Sequence, residues 1–163
     1  MIRRLLLLSA LAAALSAIVG ASPAGSTGGA SYEWFACETP CVSQSGNGAT
    51  VELQGEGTLT IHSKSVSGEG EFSYGGVSGT FEATQLLSFV SYGSVPGPCP
   101  PECEGGRALI RVHLSNGSDA TLTVTCLIGN PPGGADEGIR LAVQGGPNFN
   151  REVSGETLFF RTG

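Results

Sequence analysis

Apolar and polar residues alternate singly along much of the chain. In residues 50–62, Val51, Leu53, Leu59 and Ile61 fall on one face, and Glu52, Gln54, Glu56, Thr58, Thr60 and His62 fall on the other. In 107–115, Ala108, Ile110, Val112 and Leu114 oppose Arg107, Arg111 and His113. Leu122, Val124, Cys126 and Ile128 oppose Thr121, Thr123 and Thr125, and Ile139, Leu141 and Val143 oppose Arg140 and Gln144. A period of two marks antiparallel strands with one buried and one wet face. No stretch longer than about ten residues carries apolar positions at helical spacing. The phase of these segments predicts one continuous buried surface made by Ile110, Val112, Leu122, Val124, Cys126, Ile139, Leu141 and Val143.

Turn residues punctuate the alternation at Asn116-Gly117, 130–134, 145–148 and Ser154-Gly155. About eight strands are predicted, near 32–36, 50–62, 66–74, 78–92, 106–115, 119–128, 138–144 and 148–161, the last split by Ser154-Gly155. The fold class is all-β: a single antiparallel, glycine-rich domain, either a β-sandwich or a small closed β-barrel. Facing residues must share a side of the sheet, so Val112 is expected opposite Leu122 and Ile110 opposite Val124. A two-residue Asn-Gly turn would break that rule; a three-residue loop or a bulge is required. Gly55 and Gly57 sit on the apolar face of their strand, where glycine marks curvature, a bulge or the close approach of another backbone. Residues 81–92 have apolar side chains of both parities. They predict a bend near Thr84-Gln85, with Leu86, Val90 and Tyr92 packed beneath the 93–106 loop.

An apolar run after Arg3 and Arg4, ending in Val19-Gly20-Ala21, reads as a signal peptide over 1–21. Residues 22–31 read as a flexible linker and 32–163 as the all-β domain. The expected destination is secreted, extracellular or cell envelope. Arginine over lysine, an alanine-leucine leader and a glycine-rich body give the composition of small exported bacterial proteins, and no motif accompanies it. The chain holds eight Lys and Arg against fourteen Asp and Glu, and loss of the leader takes the net charge from −6 to −8. Without a basic stripe, nucleic acid is not an expected partner, and no membrane insertion is expected after the leader is removed.

Of five cysteines, Cys37, Cys41, Cys99 and Cys103 form two close pairs. In an exported chain disulfides rank ahead of a four-thiolate zinc site. Pairing between the two clusters is the easier to build, because Pro100 and Pro101 favour an extended path between Cys99 and Cys103. Cys126 reads as a buried free thiol.

Catalytic signals are weak. His62, His113 and Arg111 lie on wet strand faces beside glutamates, and act together only if their strands are neighbours. Glu69 and Glu71 share a face and suit acid–base work only if that face lines a cleft. Asp136-Glu137 lacks calcium-loop spacing. No nucleophile elbow or phosphate loop is present, and no cofactor or metal is implied. The expected role is a non-catalytic binding or structural module for an unknown extracellular ligand or protein. The alternative is a small secreted enzyme whose site, in a barrel mouth or sheet cleft, uses His62, His113 and nearby carboxylates.

Overall fold

A computed structural model describes residues 29–95, 100 and 102–163. The expected signal peptide, the linker up to residue 28, and Cys99 lie outside the described residues. Nine strands follow in chain order: β1 (Ser31–Ser45), β2 (Thr50–Thr60), β3 (Ser65–Tyr74), β4 (Val77–Gly93), β5 (Cys103–Leu114), β6 (Asp119–Cys126), β7 (Gly138–Val143), β8 (Asn148–Ser154) and β9 (Thr157–Arg161). All pairings are antiparallel. The order β2-β3-β4-β5-β6-β7-β8-β1 returns from β1 to β2, so the sheet closes into a ring and the molecule is a barrel rather than a sandwich.

Closure depends on β1, which is three times the expected length. Its first half, Tyr32–Ala36, pairs with β9, and its second half, Val42–Ser45, pairs with β8. The handover falls at a bulge between Ala36 and Cys41. The predicted break in the last strand lies across from it, at Ser154-Gly155. The sequence CETPC reads as a loop because Thr39 and Pro40 interrupt the pattern. The ladder resumes beyond them, with Cys41 opposite Leu53.

That bulge also fixes the disulfide. Cys37 adopts φ 66°, which turns the chain tightly enough to bring the Cα atoms of Cys37 and Cys41 to 5.6 Å, and the two are bonded to each other. The preference for cross-cluster pairing is therefore corrected, as is the four-thiolate alternative: a local left-handed turn supplies the short span. Cys103 is also disulfide-bonded, its partner lying outside the described residues. Cys126 is free and buried. Burial pushes its thiol up to about 11, with the Glu137 charge adding to the shift.

The barrel interior is filled with side chains. All eight core positions named from the alternation are buried, together with Trp34, Leu53, Phe72, Phe81, Phe149 and Phe159. Leu114 N donates to Ser118 O, so three residues, Ser115-Asn116-Gly117, with Gly117 at φ 88°, form the loop inside that last rung between β5 and β6. That loop sets the register two residues away from the expected partners, on the same face: Val112 faces Ala120 and Ile110 faces Leu122.

In β4, bulges at Ala83/Gln85, Leu86/Ser88 and Ser91/Gly93 re-phase the strand. The first is the predicted bend. Phe81, Ala83 and Leu86 all point inward and are buried, and Phe89 packs against Tyr32 and Phe159. The expected cover by the 93–106 loop is corrected in detail. Leu86 belongs to the interior and Val90 is 49% exposed, while Tyr92 is buried apart from the main core. Tyr92 instead lies beside the segment after β6, whose Asn130 N donates to its carbonyl oxygen.

Candidate functional site

A groove of about 1300 Å³ runs over the outer wall formed by β2, β3 and β4. Its floor is backbone: Gly55 and Gly57 on β2 lie directly opposite Gly70 and Gly68 on β3. These four positions face inward. A Cβ on Gly57 would stand 2.8 Å from Trp34 Nε1, and a Cβ on Gly55 would stand 2.6 Å from the Phe81 ring. Aromatic side chains thus fill the space beneath the glycines. The β1 bulge supplies one wall through Cys37 and Glu38, and His113 and Ser115 supply the other.

The outward residues of this region form one cross-strand row. Phe35 on β1 faces Glu56, Glu56 faces Glu69, and Glu69 faces Glu82. Glu82 faces His113, which faces Asp119. The three glutamates are exposed and adjacent on three neighbouring strands, and among the described residues none forms an ion pair. Glu71 lines the same groove two pairs along, where Gln54 Nε2 donates to its Oε2 at 3.4 Å. Like charges directly opposite each other in a ladder are destabilising. The row ends in a histidine–aspartate contact, with His113 Nδ1 2.8 Å from Asp119 Oδ1.

The residues named from sequence do not converge. His113 lies on the groove wall. Arg111 shares its outer face two residues away, opposite Gln85 and Thr121. His62 sits in the β2–β3 turn, six residues beyond the point where the row crosses β2. That is roughly 20 Å along the strand at about 3.3 Å per residue. The face bearing Glu69 and Glu71 does line a cleft, the condition set for it above. Asp136 is engaged by Arg140 at 3.6 Å. The Glu137 carboxylate accepts from Leu127 N at 2.6 Å and from Thr157 N and Oγ1 at 2.9 Å each, which ties β9 to the end of β6. Among the described residues no three His, Cys, Asp or Glu side chains converge as metal ligands.

The sequence did not single out Glu82 or Phe35. Parity places both on a wet face, but only the register of β1–β2 and β3–β4 brings them into line with Glu56 and Glu69. No protein-family model matches the chain, and neither a curated protein nor a solved structure is significantly similar to it.

Proposed function

We infer that this is an exported, non-catalytic binding module that docks a basic polypeptide segment along its acidic groove. The observation that carries the reading is the row Glu56–Glu69–Glu82. Three unpaired carboxylates in direct cross-strand register cost stability when free, and a cationic partner converts that cost into attraction and fast encounter. Phe35 at the head of the row adds an aromatic face suited to a guanidinium or ammonium group. The groove is open, and its acidic row crosses three neighbouring strands, which gives an extended segment successive contacts. The carboxylates are exposed to solvent, whereas catalysis generally works in a site that excludes water. The interior is packed, which favours an outer-wall site over one within the barrel. Oxidised Cys37–Cys41 fits export to an oxidising compartment.

The test is a titration with a ten-residue arginine-rich peptide at low and physiological salt. The parent protein should bind with an affinity that falls as salt rises. The triple variant Glu56→Gln/Glu69→Gln/Glu82→Gln should lose at least tenfold in affinity, about 1.4 kcal/mol, while its melting temperature rises. Equal binding by parent and variant would overturn the reading. Calcium binding at the same carboxylates with no peptide binding would replace the peptide by a divalent ion.

A further inference from the structure

The β3–β4 ladder is short for the strands that make it. It joins Glu69–Tyr74 to Val77–Glu82 and ends at the Glu69–Glu82 pair. Beyond that pair, Ser65–Gly68 of β3 pair only with β2, and Ala83–Gly93 of β4 pair only with β5. The barrel wall parts there, and among the described residues no strand pairs with the open side of β4 over this stretch. The other short ladder is bridged: where β7 and β8 share only two rungs, Ser43 Oγ donates to Ile139 O and Arg140 pairs with Glu152. β9 is held on both sides, by β1 and by Cys103 and Glu104 of β5.

One contact gives the backbone direction along the open side. The Val90 carbonyl oxygen lies 2.8 Å from where a Cβ on Gly106 would stand, so it points toward β5. Successive residues of a strand turn their N–H and C=O groups to opposite sides. Phe89 and Ser91 therefore present theirs to the open side. Three bulges interrupt β4 and guard most of this edge, but Ser88–Ser91 is regular. Within that run Val90 points outward, 49% exposed, while Phe89 turns inward against Tyr32.

We propose that a second copy of this chain docks on this edge, β4 against β4, antiparallel about a two-fold axis at Val90. Facing residues must share a side of the sheet, and residues with free backbone groups must meet each other. Centring the pair on Val90 meets both conditions. Phe89 of each copy then faces Ser91 of the other and exchanges ladder hydrogen bonds with it. The two Val90 side chains meet in the closer, non-hydrogen-bonded pair. Charge points to a copy of the chain as the occupant. The mature chain carries −8, so like molecules repel, yet Ala83–Gly93 holds no charged residue. It also holds no lysine or proline, the usual guards of an edge. Two acidic copies can meet here without opposing carboxylates. The regular run is short, which places the dimer in the weak, concentration-dependent class. This surface goes beyond the peptide-docking reading: Val90 lies roughly 25 Å along β4 from Glu82 at about 3.3 Å per residue.

The experiment is sedimentation velocity of the mature protein between about 5 and about 500 μM, at low and physiological salt. The parent should pass from monomer to dimer as concentration rises. Salt should strengthen the dimer by screening the net charge, whereas it weakens peptide docking. Val90→Lys sets two ammonium groups face to face across the axis and should weaken dimerisation at least tenfold. Because Val90 is half exposed, the dilute variant should melt with the dilute parent. Amide hydrogen exchange reads the edge itself: the Phe89 and Ser91 N–H groups should slow with concentration in the parent and not in Val90→Lys. A parent that stays monomeric throughout, or that forms species larger than a dimer, would overturn the proposal. A dimer that leaves the Phe89 and Ser91 amides unprotected, or that Val90→Lys leaves intact, would do the same. The triple glutamine variant of the groove should still dimerise, so loss of peptide binding leaves this inference standing.

Discussion

Tyr32 shows how one position joins the wall to the interior. Its ring is buried against Phe89, and its hydroxyl donates to Glu104 Oε2 at 2.9 Å. Ser91 Oγ donates to the same carboxylate oxygen at 2.8 Å, and Arg161 approaches the other oxygen at 3.4 Å. Burial and then the Glu104 hydrogen bond push the Tyr32 hydroxyl up to about 12. An unfolded tyrosine titrates near 10. The folded state therefore holds the proton more tightly, so this contribution is complete below about pH 10 and is lost as the pH rises toward 12. Tyr32→Phe removes the titrating group. In urea unfolding at pH 9 and pH 11.5, the parent should lose more stability between the two than the variant does. Equal losses would contradict the assignment. The residue's burial was not foreseen, because a short segment at 32–36 gives no phase to read until β2 and β9 flank it.

At the scale of elements, the glycine-floored pair of β2 and β3 sets the shape of the groove. Gly57→Ala would bring a methyl group onto the Ser67 carbonyl and against Trp34, with no flexible neighbour to yield. Overpacking of this kind costs about 1–3 kcal/mol. Gly46→Ala, where nothing lies within 4 Å and the backbone φ is ordinary, should be neutral by comparison. Chemical denaturation of the two variants checks the contrast, and a neutral Gly57→Ala would remove the close packing of Trp34 from the account. The sequence carried half of this: the positions of Gly55 and Gly57 on an apolar face announced a close approach. What approached was hidden, because Trp34 reaches them through the β1–β2 ladder. The same limit applied to β4, where alternation holds until a bulge resets it. The change of parity marked the bulge near Gln85, whereas those at Leu86/Ser88 and Ser91/Gly93, inside a run apolar at both parities, left no mark of their own.

For the whole molecule, alternation was enough to reach an all-β antiparallel domain and its main core, because a half-buried strand writes its phase into every second residue. The choice between barrel and sandwich was not legible, since it turns on which strand β1 meets at each end. The disulfide taught a similar lesson. Cys37, Cys41 and Cys103 read correctly as cross-linking thiols, but the left-handed backbone at Cys37 that closes the local ring has no sequence signal of its own. Gly155, in the break between β8 and β9, packs against that disulfide, and a Cβ there would meet both sulfurs. Ring length sets the expected contribution: a loop of five residues is worth about 2 kcal/mol in the chain-entropy model, against about 4 for a cross-cluster link. The variant Cys37→Ser/Cys41→Ser should stay folded and lose about that smaller amount in denaturant unfolding. Failure to fold would show that the corner itself depends on the bond.

The account rests on the acidic row as a docking face, and amide chemical-shift mapping during titration with the arginine-rich peptide tests it most directly. The predicted result is a contiguous set of perturbed amides centred on Glu56, Glu69 and Glu82 and running to Phe35 and His113, fading as salt is raised. Shifts scattered over the surface, or centred on the wall of Arg107, Thr123 and Arg140, would contradict it.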